Sequence, residues 1–500
     1  MVKATRRSAV LLAVTAIGLL ISSAPSFAEV QNVKVGGDVM VRGFWRRNLD
    51  LRHAEDVDSD DVDSTGANRQ DDTFFMSTVG LNVGADLTEN VSAFIRVANE
   101  RDWNQAEAGT STANTAAGDV DLSQAYITLK ELFYSPLTVR IGQQPIQWGR
   151  GFVLGSNLLP SILNTGGGVG STAAGNDRNA SISANEYTDF TAFDAIRATL
   201  DLGGAASIGV PLMVDYVYIK QDEGLFNEND DVNVQGLNFS THFDAMSSEV
   251  EAYWLNKRDR SEITNNLGKR GSVNTMGLRG STKPVEGLSL WGETALQFGN
   301  RGRLLDAGIT ANPTGSGQQA WAFDFGTEFS FADVPTSPKV GAEWIMYSGN
   351  DVDGAFQGWD PIAPSYFTTL IRSYQTRNTG VTGLYPTDQN LVTSAFTNQH
   401  EMAFYGGLKP IDDLGVDTRL AWFWLEDGQV PDTTPAGSPK RESYVGAEWD
   451  TKLTYDYTDD VQFGLAYGVF FPGSVFHDSA DSTSGRNTGQ QIISKVSVKF

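Results

Sequence analysis

Cysteine is absent from the 500 residues. That excludes disulfides, thiolate metal sites, covalently attached c-type haem and a lipid-modified cysteine at the mature amino terminus. Histidine is scarce, with only His53, His242, His400 and His477. Long apolar runs are missing too: beyond Ile21 no stretch approaches the roughly 20 residues a membrane-spanning helix needs. Positive charge is in deficit, 37 Lys and Arg against 61 Asp and Glu, for a net charge of −24. A chain so acidic has no basic surface with which to neutralise phosphates, and nucleic acid is excluded as a partner. No Pro-rich or Ser-rich linker interrupts the sequence, so its length does not resolve into several soluble domains.

Residues 1–28 have the form of a secretory signal. Lys3, Arg6 and Arg7 make a positive start, Ala9 to Ile21 a short apolar stretch, and Ser26-Phe27-Ala28 a small-residue cleavage site. The expected mature protein is a single domain of residues 29–500, exported. Its net charge is −27, because the signal carries three positive charges and no negative one.

What the chain has is alternation. Val33, Val35, Val39, Val41 and Trp45 fall on odd positions, with Lys34, Asp38, Arg42 and Arg46 between them on even ones. Period two over such a length indicates a strand with one apolar and one wet face. The last residues repeat the pattern: Val496, Val498 and Phe500 oppose Lys495, Ser497 and Lys499. Eighteen such strands are expected. The first nine lie near 33–46, 72–87, 91–103, 120–130, 137–148, 192–202, 210–221, 232–243 and 249–259. The rest lie near 272–282, 287–299, 319–331, 338–348, 399–409, 415–426, 442–456, 461–472 and 489–500. The seventh and eighth alternate poorly, whereas the twelfth is clean, with Trp321, Phe323, Phe325, Phe329 and Phe331 opposite Asp324 and Glu328.

Link length alternates as well. Short connections such as 88–90, 131–136 and 457–460 interleave with long ones at 47–71, 104–119, 149–191 and 349–398. The fold expected is therefore all-β: a transmembrane antiparallel barrel of about 18 strands, with short periplasmic turns and long extracellular loops. Aromatic residues near strand ends, among them Trp45, Trp321, Trp424, Tyr455, Tyr457 and Phe500, suit the two interfacial girdles. A terminal aromatic after such a strand resembles the signal read by the outer-membrane insertion machinery, so that machinery and outer-membrane lipid are expected partners.

Sites for chemistry are few. Ser240 and His242 share a strand face without an orienting third group, which falls short of a catalytic set. Gly166 to Ser171 lacks the lysine of a phosphate-binding loop. The acidic run Glu55 to Asp63 starts like a calcium-binding EF-hand, but Asp61 stands where glycine is required and Ala67 where glutamate is. No enzyme activity, cofactor or metal site is expected.

The water-facing positions say more. Lys34, Arg42, Arg46, Arg96, Lys130, Arg140 and Arg197 are the expected basic lining from the first six strands. Later strands supply an acidic lining, represented by Glu293, Glu328, Glu343, Asp417 and Glu448. Two readings of this division stand: a field across the pore that tunes what passes, or hydrated side chains in cross-strand pairs.

Leu122-Ser123-Gln124-Ala125-Tyr126, Val139-Arg140-Ile141-Gly142-Gln143-Gln144 and Trp148-Gly149 together resemble the alginate-export family of bacterial outer-membrane porins. Phe193-Asp194-Ala195-Ile196-Arg197 is similar to that family's next strand. The resemblance implies an 18-stranded barrel over most of residues 30–500, and export of an anionic uronic-acid polymer through a basic pore. Arg42, Arg96, Arg140 and Arg197 would supply that pore, and the acidic far wall departs from it. The leading expectation is a passive channel for small hydrophilic or charged solutes. Its rivals are export of an anionic polysaccharide such as alginate, and a structural sheath around an electron-transfer partner.

Overall fold

Alternation over so many strands leaves the outermost strands with unpaired edges unless the sheet closes. In the computed structural model it does close, into one antiparallel sheet of 18 strands. The structure describes residues 32–49, 71–103, 120–156, 187–205, 210–222, 231–260, 271–300, 317–349, 357–374, 396–429, 442–476 and 488–500. The expected signal, the acidic run 55–63, the glycine stretch 166–171, His53 and His477 lie outside them.

The strands are β1 (Asn32–Arg47), β2 (Asp71–Thr88), β3 (Val91–Asp102), β4 (Asp121–Leu129), β5 (Leu137–Gln144) and β6 (Phe193–Asp201). Then come β7 (Leu212–Asp222), β8 (Val232–Phe243), β9 (Ser248–Asp259), β10 (Gly271–Val285), β11 (Leu288–Asn300) and β12 (Gly317–Ser330). The last six are β13 (Lys339–Tyr347), β14 (Gln399–Ile411), β15 (Leu414–Gln429), β16 (Glu442–Asp456), β17 (Val461–Pro472) and β18 (Gly489–Lys499). Each pairs with its sequence neighbours, and β18 pairs with β1 to complete the ring. Phe500 extends that seam: its N–H donates to the Gly37 carbonyl at 3.0 Å and its carbonyl accepts from Gly37 at 2.9 Å. Among the described residues no helix is long or apolar enough to cross a membrane.

Which way each face points follows from exposure. Val33, Val35 and Val39 of β1 are exposed, while Arg42 and Arg46 are buried. Phe75, Val79 and Leu81 of β2, Trp321 and Phe325 of β12, and Val496 of β18 are likewise exposed. Apolar residues outside and charged residues inside invert a soluble protein, as a lipid-embedded barrel requires.

One strand is shorter than its sequence pattern. Alternation predicts the fifth over 137–148, but it ends at Gln144. Pro145 follows, with no N–H to give to the sheet, and the chain leaves the wall there for the lumen. Gly142, in the Arg140-Ile141-Gly142-Gln143 run, has φ of +120°, and a β-carbon there would collide with the carbonyl of Ala125 on β4. A side chain fits neither constraint, so Gly142→Ala should destabilise the β4–β5 pairing by about 1–2 kcal/mol or more. Faster hydrogen exchange of residues 125–129 would register it; unchanged exchange would show that the glycine is not needed there.

Candidate functional site

Of the chain segments that fold back inside the barrel, two meet each other and together define the candidate site. The first, residues 145–156, follows β5. Three consecutive residues of it reach three different strands. The Trp148 indole N–H donates to Asp215 Oδ2 on β7 at 2.9 Å. The Gly149 N–H donates to Glu251 Oε2 on β9 at 3.2 Å. Arg150 Nη2 meets Glu343 Oε1 on β13 at 3.0 Å. Gly149 and Gly151 both sit at positive φ, +55° and +80°, which lets the chain turn between these anchors. Phe152, Val153 and Leu154 then bury against Val217, Ile219, Val234, Leu255 and Ala320 of the wall.

The second segment, 357–374, lies between β13 and β14 and runs around the inner wall. Gln318 and Gln297 donate to the carbonyls of Gly358 and Asp360 at 2.7 and 2.6 Å. Lys257 pairs with Asp360 at 3.1 Å, and Gln221 donates to the Ile362 carbonyl at 2.8 Å. Farther on, Glu448 of β16 accepts two successive backbone N–H groups, Ile371 at 2.6 Å and Arg372 at 2.8 Å. Asp450 accepts from Leu370 at 3.0 Å. The two segments also bond to each other: Ala363 N–H to the Val153 carbonyl, Gly155 N–H to Ala363, and Ser365 N–H to Gly151.

Arg150 is the hinge pin of the arrangement. Its guanidinium lies over Trp291 at 4.3 Å and over Tyr366 at 4.6 Å. It bonds to the Tyr366 hydroxyl, and its Nε is 3.6 Å from Asp324. Tyr366 donates in turn to Glu343 at 2.6 Å. Glu343 and Glu401 share Arg419 Nη2 at 2.7 and 2.6 Å. Beside this cluster runs a row of cross-strand neighbours, Glu251, Arg279, Glu293 and Asp324. Arg279 meets Glu251 at 2.5 Å, and Glu293 accepts from Tyr253 at 2.7 Å. In a site of low dielectric, carboxylates and guanidiniums at these distances fix each other's geometry strongly.

A third inward piece, 187–192, precedes β6 and sits against β1–β3. Arg96 pairs with Asp38 and Asp189, both at 2.8 Å. Arg42 donates to the Tyr187 carbonyl and to Thr78, both at 2.8 Å. Glu100 accepts from Thr188 and from the Asp189 N–H.

The remaining expected lining residues are placed as follows. Arg46 is buried, donating to Gln491 at 2.6 Å with its guanidinium over Phe44 and Phe74. Arg197 pairs with Asp215 at 2.9 Å. Arg140, its cross-strand neighbour, lies over the Tyr126 ring at 4.6 Å. Lys34 is exposed near the start of β1, and Lys130 is exposed just past β4. Asp417 pairs with Lys339 at 2.9 Å on a partly exposed surface, and Glu328 is half-buried on β12. Glu448 is fully buried beneath the second segment. Opposite charges therefore interleave at contact distance: Asp38, Asp189 and Asp215 among the early arginines, and Arg150, Arg279 and Arg419 among the later acids.

Sequence reasoning did not single out Arg150, Tyr366, Asp189 or Asp215. The signal was there for one of them: Arg150 directly follows the Trp148-Gly149 pair. His242 is exposed, with Glu249 as its cross-strand neighbour. Among the described residues no three acidic or histidine side chains converge as metal ligands would.

Comparison with known proteins agrees with this architecture. Solved structures with the same fold include Pseudomonas aeruginosa OccK9 (OpdG), 12% identical, with a TM-score of 0.51 over 94% of this chain and 99% of that one. Acinetobacter baumannii OccAB2 is 10% identical, with a TM-score of 0.49 over 95% and 99%. Pseudomonas aeruginosa OccK2 (OpdF), solved in complex with glucuronate, is 11% identical, with a TM-score of 0.49 over 94% and 98%. No curated protein sequence matches the chain. The family model described as "Alginate export" matches residues 46–490, nearly the whole length. This closed 18-stranded outer-membrane barrel belongs to the alginate-export family.

Proposed function

We propose that the protein is a passive outer-membrane channel for small hydrophilic or charged solutes. The observation that carries this reading is the pair of inward segments, 145–156 and 357–374, seated on a polar wall and joined at Arg150 and Tyr366. A wet barrel narrowed by its own backbone suits single small molecules. A sheath for an electron carrier needs a lumen left open for a partner, and here the chain's own segments occupy that space.

Family membership favours a second reading, export of an anionic polysaccharide. A polyanion track calls for arginines whose charge is not already matched. Here Arg96, Arg197 and Arg419 each lie within 3 Å of a carboxylate, which favours small solutes. We further propose that the chain reaches the membrane by cleavage after Ala28; amino-terminal sequencing of the mature protein should begin at Glu29.

Single-channel conductance and reversal potentials test the reading. Replacing Arg96, Arg140 and Arg197 together with alanine removes three positive charges and leaves Asp38, Asp189 and Asp215 unmatched. Selectivity should move severalfold toward cations. Replacing Glu293, Glu328 and Glu343 should move it the other way. Both shifts should shrink as salt rises, because the Debye length falls from about 10 Å at 0.1 M to about 3 Å at 1 M. Indifference to both triple replacements would remove these residues from the conduction path. Strong anion selectivity in the wild type would favour polyanion export instead.

A further inference from the structure

The seventh and eighth strands alternate poorly in sequence, and the structure shows why: toward their extracellular ends the two faces exchange character. On β7–β10 the inward positions there are mostly apolar, Val217, Ile219, Val234, Leu255 and Val273, with Lys257 and Thr275 the polar members, and they lie under the first inward segment or beside it. The outward positions are polar. Lys220, Asn233, Arg258 and Ser272 form one cross-strand row, and Tyr218, Gln235, Asn256 and Asn274 form the next. Only at the third row, Tyr216, Leu237, Trp254 and Met276, does the outside become apolar. The opposite flank is built differently. The outward positions toward the extracellular ends of β12–β15 are mostly apolar, among them Trp321, Phe323, Trp344, Met402, Trp422 and Trp424, with Gln319 and His400 the polar exceptions.

Amides and charges facing hydrocarbon are costly in any membrane barrel, so this flank meets something polar. We propose that the outer face of β7–β10 at its extracellular end docks the phosphorylated saccharide headgroup of an outer-leaflet glycolipid.

Three observations favour this occupant. The polar groups are organised as a fixed plate around Asn256, itself buried, which donates to Ser272 at 3.0 Å and to Asn274 at 3.1 Å, while the Trp254 indole donates to Asn274 at 3.1 Å. Amide and hydroxyl arrays over aromatic rings suit sugar hydroxyls. Arg258 is exposed, and the plate orients it through its Nε bond to Asn256 at 3.1 Å. Its terminal nitrogens bond to no described residue and suit a phosphate. Finally, the area is too small for a second barrel. Four strands about 4.8 Å apart and two rows about 7 Å apart give on the order of 300 Å², against about 800 Å² per partner for a standard protein interface.

The absence of native cysteine makes the test direct. Gln235→Cys and, on the opposite flank, Met402→Cys are each labelled with an environment-sensitive fluorophore in the folded full-length barrel in detergent. Each is titrated with purified lipopolysaccharide and, separately, with phosphatidylglycerol. Heat-modifiable migration confirms that every variant is folded. The expected result is a saturable shift at position 235 with lipopolysaccharide, little with phosphatidylglycerol, and none at 402. Adding Arg258→Glu should raise the half-saturation concentration about tenfold, a 1.4 kcal/mol change. Equal responses at 235 and 402, or indifference to Arg258→Glu, would overturn the proposal. So would an equal response to phosphatidylglycerol, which means a general anion contact. Disulfide-linked dimers of the unlabelled Gln235→Cys variant would also overturn it, by assigning the surface to a second copy.

Discussion

Glu448→Ala should free the second inward segment and turn a quiet channel into a noisy one. Glu448 is fully buried, and its two oxygens hold the N–H groups of Ile371 and Arg372 at 2.6 and 2.8 Å. Hydrogen bonds to a buried acceptor are worth about 0.5–1.5 kcal/mol each, so the variant loses about 1–3 kcal/mol of attachment at one point. The neighbouring anchors are Asp450 to Leu370, Gln491 to the Leu370 carbonyl, Arg372 to Gln399 and Thr368 to Glu401, and none of them takes up the two freed N–H groups. The strand pairing of β15, β16 and β17 is untouched, so the barrel itself should keep its heat-modifiable migration. Single-channel recordings should show frequent excursions to a higher conductance, and amides of 370–373 should lose exchange protection. Glu448→Gln keeps one acceptor oxygen and should fall between. A recording as quiet as the wild type would mean that the segment is held mainly by its other anchors, among them Gln399, Glu401, Gln297, Gln318 and Lys257.

Deleting Phe500 should lower the amount of folded protein in the outer membrane several-fold. Its side chain is exposed just past β18 and its ring lies against Gly37 of β1. Its backbone also makes the last two hydrogen bonds of the β1–β18 seam, both to Gly37. The deletion therefore removes an exposed aromatic and the end of the closing ladder together. Phe500→Ala separates the two, because it keeps the ladder. If the aromatic is what the insertion machinery reads, both variants should fail alike in cells, while Phe500→Ala refolds normally into detergent. Unchanged levels of either variant in the outer membrane would relieve the terminal residue of that role.

The wall was legible in the sequence because each strand carries its own instruction. Val461 to Pro472 and Glu442 to Asp456 run from end to end as their alternation and turns indicate. The inward segments were not legible, because their instruction is distributed. Arg150 takes its position from Asp324, Glu343 and Tyr366, more than 170 residues away. Asp360 takes its position from Lys257 and Gln297. Periodicity reports which side of a strand is wet; it does not report what crosses the lumen to meet it. The lining was legible only in part for the same reason. Arg96 and Arg197 were visible as inward charges, but Asp189 lies in a link, and Asp215 lies on a strand whose pattern changes face midway. Poor alternation in β7 and β8 was itself information, marking a wall that is apolar toward its own inner segment.

The β1–β18 seam also sets a kinetic problem. Val39 lies opposite Val498 and Asp38 opposite Lys499, so the contacts that finish the ring join residues separated by almost the entire chain. Bringing such ends together through a flexible chain costs about 5 kcal/mol in loop-closure entropy, which the hairpins between neighbouring strands reduce by forming first. The ring cannot begin to close until β18 has been made, and β1 keeps an open edge until then. For that interval the chain is a string of sticky strands in water, and its survival depends on how fast it is handed to the membrane.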